Sequence, residues 1–236
     1  MSRWFPVRGR KLLIRSGTVK QEKSRGIVNK KARRRIVGFD IDGVLTDEMA
    51  DGKNIWQREI EAYFPGIQLL EPDFAFTAAF GLSLEEVDKF MEEKAPEVFR
   101  KVKPQRGSRE FIRYLQDAGF TVYFITARWP RYEEITREWL AHHGFRPSAL
   151  WFTEDKGPLC KELGIEIFVD DYWENCLDIR AHGVRALLMS APHNLGCPEE
   201  KGIYRVENWD EIRAHVLEYY GLSTWESGKI SGTSAL

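Results

Sequence analysis

Six residues of this chain have the types and the order to hold a cation and a phosphate group in one crevice. Asp40-Ile41-Asp42-Gly43 closes the first strongly apolar run, and Thr126-Ala127-Arg128 closes the second. Lys156 follows the third run in Asp155-Lys156-Gly157, and Asp170-Asp171 closes the fourth. Carboxylates gathered in one crevice repel each other unless a cation neutralises them, and hard oxygen ligands with room for water point to Mg²⁺. A hydroxyl, a lysine and free backbone N–H groups suit the phosphate itself. Taken singly, each residue has an ordinary explanation. An acid pair at a strand end caps a turn, a threonine closes one, and a lysine is solvated. The ordered set of four is what points to chemistry.

The elements that must carry these residues follow from the hydrophobic pattern. Residues 35–40, 121–126, 149–152, 166–170 and 184–189 read as strands buried on both faces, as in a parallel sheet. Helical patterns separate them at 108–118, 130–143, 155–163 and 173–182, and glycines follow at 119, 144, 164 and 183. A last helix runs to Tyr220 behind a capping box of Asn208 and Glu211. Alternating strands and helices imply an α/β fold. Ligands of open α/β sheets bind beyond the carboxyl ends of the strands, where all of the singled-out residues fall. Residues 47–105 are too many for one crossover. They hold a helical stretch at 55–64, an aromatic-rich stretch at 74–80 and a helix capped by Ser83 and Glu86, and read as a small helical insertion above the sheet.

Composition limits the remaining possibilities. The chain has 236 residues, 43% hydrophobic and 30% charged, enough apolar material for a core. Three cysteines, at 160, 176 and 197, make neither a disulfide framework nor a zinc pattern and fit reduced thiols in a cytoplasmic protein. No apolar run reaches the roughly 18 residues of a membrane helix, so no membrane partner is expected. The net charge of −1 hides an uneven distribution. Residues 1–35 carry 13 Lys/Arg against one acid, Glu22. This arm reads as an extension without a core of its own, or as a tether to nucleic acid. The Ser/Gly/Thr-rich tail, 221–236, reads as flexible.

The segment Asp40-Ile-Asp42-Gly43-Val-Leu-Thr46, with Thr126, Lys156 and Asp170-Asp171, resembles motifs I to IV of the haloacid dehalogenase-like phosphohydrolase superfamily. The resemblance implies a Rossmann-like parallel sheet, formed by 36–46 and 106–220, with a small helical cap (47–105) inserted after the first strand. It implies that Asp40 is the nucleophile, forming an aspartyl-phosphate, and that Asp42 is the general acid/base. Thr126, Ala127, Arg128 and Lys156 would hold the phosphate. Asp40, Asp42 (through its backbone carbonyl), Asp170 and Asp171 would form the Mg²⁺ site. By the same resemblance, an acid at position 42 favours phosphatase or phosphotransferase turnover.

Ala191-Pro192-His193-Asn194, Arg205-Val206, and Asn208-Trp209 are similar to the C-terminal region of 5′(3′)-deoxyribonucleotidases and their bacterial relatives. The expected substrate is thus a nucleoside monophosphate, with another small phosphate, such as a sugar phosphate, as the alternative. A third reading makes the basic arm the functional part. Thr126-Ala127-Arg128 departs from the Thr-Ser-Pro of the better-known nucleotidases. In the insertion, Trp56, Phe64, Phe74, Phe76 and Phe80 could stack on a base, with Trp56 and Phe76 the main candidates. Of the five histidines only His193 falls near the expected site.

Overall fold

The computed structural model describes residues 35–222. The basic arm, with the nucleic-acid role read into it, and the tail from Ser223 lie outside the described residues.

Six parallel strands form the main sheet: β1 (Ile36–Phe39), β4 (Thr121–Thr126), β5 (Ala149–Phe152), β6 (Ile167–Asp170), β7 (Arg185–Met189) and β8 (Ile203–Val206). Their order is β5-β4-β1-β6-β7-β8. The central strand β1 therefore pairs with β4 on one side and β6 on the other, which makes its carboxyl end the point where the winding direction reverses. Alternate residues of β1 face opposite layers. Val37 and Phe39 enter the core under α4 (Ser108–Asp117), α5 (Glu133–His142) and α8 (Trp209–Tyr219). Ile36 packs with the layer of α6 (Lys156–Leu163) and α7 (Trp173–Ala181), where Cys160 and Cys176 are buried as free thiols.

Two short strands, β2 (Thr46–Asp47) and β3 (Lys103–Pro104), pair antiparallel and close the neck of the insertion. Between them lie α1 (Ile55–Tyr63), α2 (Phe76–Phe80) and α3 (Leu84–Lys101). Asn54 caps α1 by accepting from the Trp56 and Gln57 amides. Ser83 and Glu86 form the expected capping box on α3. Val87, Phe90, Met91, Val98 and Phe99 make its buried face.

Several readings of the sequence need correction. A sixth strand, β8, was not anticipated, and the Asn208 capping box is only half formed. Asn208 accepts from the Asp210 and Glu211 amides, but the Glu211 side chain accepts from Glu207 N rather than returning to Asn208. The helix expected from residue 130 opens with a 3₁₀ turn, Pro130–Tyr132. β5 is an edge strand, not one buried on both faces, and Trp151 is partly exposed on it.

Trp209 fixes the loop after β1 from below. Its ring stacks on Phe39 at 5.3 Å, and its Nε1–H donates to the Val44 carbonyl at 3.0 Å. Trp209→Phe keeps an aromatic ring but strands that buried carbonyl. Urea unfolding should show a stability loss of about 1–3 kcal/mol.

Candidate active site

The loop from Ile41 to Thr46 is held by its own hydrogen bonds. The amides of Leu45 and Thr46 both donate to the Ile41 carbonyl, and Gly43 N donates to Thr46 Oγ1. Gly43 has φ +71°, and a Cβ there would lie 2.1 Å from Asp171 Oδ2. Only glycine lets the β1 and β6 loops approach this closely.

Asp40 sits at the centre. Its Oδ1 accepts from the Ile41 amide at 2.7 Å, and its Oδ2 is 2.8 Å from Lys156 Nζ. Lys156 is fully buried at the start of α6 and also donates to Asp170 Oδ2 at 2.7 Å. Asp170 further accepts from the Tyr172 amide and the Asn175 side chain. Its oxygens are thus well occupied, and its visible work is to hold Lys156 against Asp40. Asp40, Asp170 and Asp171 each bring a carboxylate oxygen within 4.8 Å of the others. Burial pushes the Asp40 carboxyl up to about 7, with Asp170 and Asp42 adding to the shift and Lys156 opposing it. Asp171 is raised well above the ordinary carboxylate range, first by burial and then by the other acids. Its acid neighbours also hold Lys156 above its ordinary value, against the effect of burial.

Thr126 is buried at the end of β4, and its Oγ1 accepts from the Arg128 amide, leaving the hydroxyl proton to donate. The Arg128 side chain does not point into open space. Its Nε and Nη2 clasp Asp42 at 2.8 and 2.6 Å, its Nη1 donates to Thr136, and its guanidinium lies 3.8 Å from the Phe99 ring centre. The fork is almost wholly buried, whereas the Asp42 side chain keeps about a third of its surface.

Behind Asp171 lies a supporting layer. Asn194 donates to the carbonyls of Asp171 and Met189, and Arg205 donates to Asn194 Oδ1 at 2.7 Å. His193 Nε2 lies 2.9 Å from the Asp171 carbonyl oxygen, which can only accept, so Nε2 carries the proton. Burial lowers the pKa of this imidazole.

A cavity of about 250 Å³ opens between the sheet and the insertion. Asp40, Asp42, Ala127, Arg128 and Asp171 line its core side, while Thr126, Lys156 and Asp170 are buried beneath. Trp56 and Phe76 line the other side, yet they are only 6% and 4% exposed and pack on one another and on Phe99 and Phe90. They are wall and insertion core at once. Phe74 and Phe80 also line the cavity, and Phe64 packs on Tyr63 and Phe90. Phe74 stacks on Tyr172 at 3.8 Å and meets His193 edge-on, so the insertion touches the core directly beside Asp171.

The sequence does not mark Glu48 as a cavity residue. Its carboxylate accepts from Trp56 Nε1 at 2.9 Å and Asn54 Nδ2 at 3.2 Å. No motif marks it. The available signal was an acid placed just before an Asn-capped helix whose first turn carries a tryptophan.

Comparison with known proteins agrees with this geometry. Residues 34–219 match the family described as 5′ nucleotidase, deoxy (pyrimidine), cytosolic type C protein. A nucleotidase of Clostridium acetobutylicum is 25% identical over 179 residues, spanning 74% of this chain and 89% of the relative. Among solved structures, a HAD-superfamily hydrolase of subfamily IA from Geobacter sulfurreducens superposes with a TM-score of 0.52 at 19% identity, covering 76% of this chain and 97% of that one. A HAD hydrolase of family IA from Entamoeba histolytica gives 0.53 at 14%, covering 78% and 97%. These structures share the fold, and the family match spans most of the chain. The chain belongs to this 5′-nucleotidase family and shares the fold of the HAD-superfamily hydrolases.

Proposed function

We propose that the protein hydrolyses nucleoside monophosphates through an aspartyl-phosphate on Asp40, with Mg²⁺ as its cation. The observation that carries this reading is the meeting of Asp40 and Asp42 at the floor of an aromatic-walled cavity.

In the first step a carboxylate oxygen of Asp40 bonds to phosphorus while the bond from phosphorus to the leaving oxygen breaks. Asp42 supplies a proton to that oxygen, releasing the nucleoside. In the second step Asp42 takes a proton from water, which attacks the phosphorus of the acyl phosphate. Phosphate leaves, and Asp40 is restored. Lys156 and the Thr126 hydroxyl neutralise and orient the phosphoryl oxygens, since transfer of this group depends mainly on positioning and charge compensation. Ala127 and Arg128, which line the core side of the cavity, would complete the same cradle.

The donor set fits a hard divalent cation. Three carboxylates face one lysine, which leaves negative charge uncompensated in a buried place, where burial first and the neighbouring acids second raise Asp40 and Asp171. Asp40 and Asp171 would hold the ion, with the Asp42 backbone carbonyl, while Asp170 stands behind with its oxygens engaged. Mg²⁺ bound there would offset the charge of the phosphoryl oxygens.

A panel of nucleoside 5′-monophosphates, sugar phosphates and p-nitrophenyl phosphate, each with Mg²⁺ and with EDTA, tests this reading. Nucleotides should give the highest kcat/KM, and EDTA should remove the activity. A marked preference for sugar phosphates over every nucleotide would transfer the assignment to that class.

A further inference from the structure

The cavity lining carries an acid, Glu48, that the hydrolytic steps do not use. Glu48 lies in the loop between β2 and α1, and it faces the same cavity as Asp42. Its two oxygens are fixed from one side. Trp56 Nε1–H donates to Oε1 and Asn54 Nδ2–H donates to Oε2. The second bond follows from helix capping: Asn54 Oδ1 is committed to the amides of Trp56 and Gln57, so its amide nitrogen must turn toward Glu48.

An ionised carboxylate has about four acceptor positions, and two are filled here. Keeping this acid is costly. Burial and the neighbouring charge of Asp42 push its carboxyl up to about 7, although the Trp56 and Asn54 hydrogen bonds oppose the shift. A purely apolar wall would avoid that cost. Trp56, Phe76, Phe99 and Met91 offer area but no acceptor, while Gln57 and Asp73 add polar groups elsewhere on the lining.

We infer that Glu48 is a specificity-determining residue, accepting a hydrogen bond from a donor on the leaving group, either a sugar hydroxyl or a base N–H. Asp40 and its neighbours hold the phosphate end common to all substrates, and Glu48 reads the end that varies. The inference rests on the nucleotidase reading above and deepens it.

The test compares wild type with Glu48→Gln on nucleoside 5′-monophosphates, their 2′- and 3′-deoxy forms, ribose 5-phosphate and p-nitrophenyl phosphate. A hydrogen bond to a charged acceptor carries about 10- to 100-fold in kcat/KM. Glu48→Gln should therefore lower kcat/KM at least about 10-fold more for donor-bearing esters than for p-nitrophenyl phosphate. If a sugar hydroxyl is the donor, the matching deoxynucleotide should lose this extra penalty. With a base N–H as donor, ribose 5-phosphate should lose it instead. Glu48→Asp retains the charge but withdraws it by one methylene, and it should show the same selective loss if the glutamine variant fails to fold. Equal losses on all substrates would mean that Glu48 only ties α1 to the core, and would overturn the inference. Wild-type protein that cleaves p-nitrophenyl phosphate and sugar phosphates but no nucleotide would sink the nucleotide reading alone. The Glu48 contrast is then read on the sugar phosphates.

Discussion

Asp40→Asn should lower turnover by about 10⁴-fold or more, on the scale seen when a catalytic nucleophile is removed. The amide is nearly isosteric and keeps an oxygen for Ile41 N or Lys156, which both bond to Asp40 here. What it lacks is the electron pair of a carboxylate able to bond to phosphorus. The fold should survive, because burial already pushes this acid up to about 7 and a neutral side chain avoids the desolvation that causes the shift. Loss of activity can therefore be separated from loss of structure by a thermal melt. Mass spectrometry of the rapidly quenched wild-type reaction should find one phosphoryl group on Asp40 and none in the variant. Near wild-type turnover by Asp40→Asn would rule out the aspartyl-phosphate.

The residues beneath the site were the most legible part of the sequence, for a physical reason. A strand buried on both faces must be apolar until it leaves the sheet, so the first polar residue after such a run marks the carboxyl end. Asp40, Thr126 and Asp170 all stand at such transitions, and β1, β4 and β6 are adjacent in the sheet. The edge strand β8, paired with β7 alone, is not marked by the sequence because only Val206 of Ile203-Tyr-Arg-Val is buried and the apolar run is broken by Arg205. Glu48 was missed because its partners come from loop geometry. Asp47, Glu48 and Asp51 are equivalent candidates by position, and only the turn before α1 brings Glu48 against Trp56. The Ala191–Asn194 and Arg205 resemblance acquires a physical meaning in the structure. These residues hold the Asp171 carbonyl through Asn194 and His193, while Pro192 and His193 also line the cavity.

Arg128 tests this boundary between sequence and structure. Its position beside Thr126 suggested a phosphate contact, but its guanidinium is closed on Asp42, a partner 86 residues away that no local spacing could reveal. Two parallel hydrogen bonds fix the plane of the Asp42 carboxylate. Asp42→Asn breaks this clasp and removes the proton donor to the leaving oxygen. General acid–base assistance is worth about 10²–10⁴-fold, and turnover of a nucleotide should fall by that amount. The loss should be smaller for p-nitrophenyl phosphate, since p-nitrophenolate leaves with little need of a proton. Single-turnover kinetics isolate this step from later ones. Arg128→Lys then separates the two roles open to the arginine. A lysine keeps the charge but cannot form the fork. If Arg128 acts by orienting Asp42, its loss should follow the Asp42 pattern, smaller in size but again greater for the nucleotide than for p-nitrophenyl phosphate. If it acts on the phosphoryl oxygens, which both esters share, the two substrates should lose equally. The closed geometry of the Arg128–Asp42 pair favours the first result.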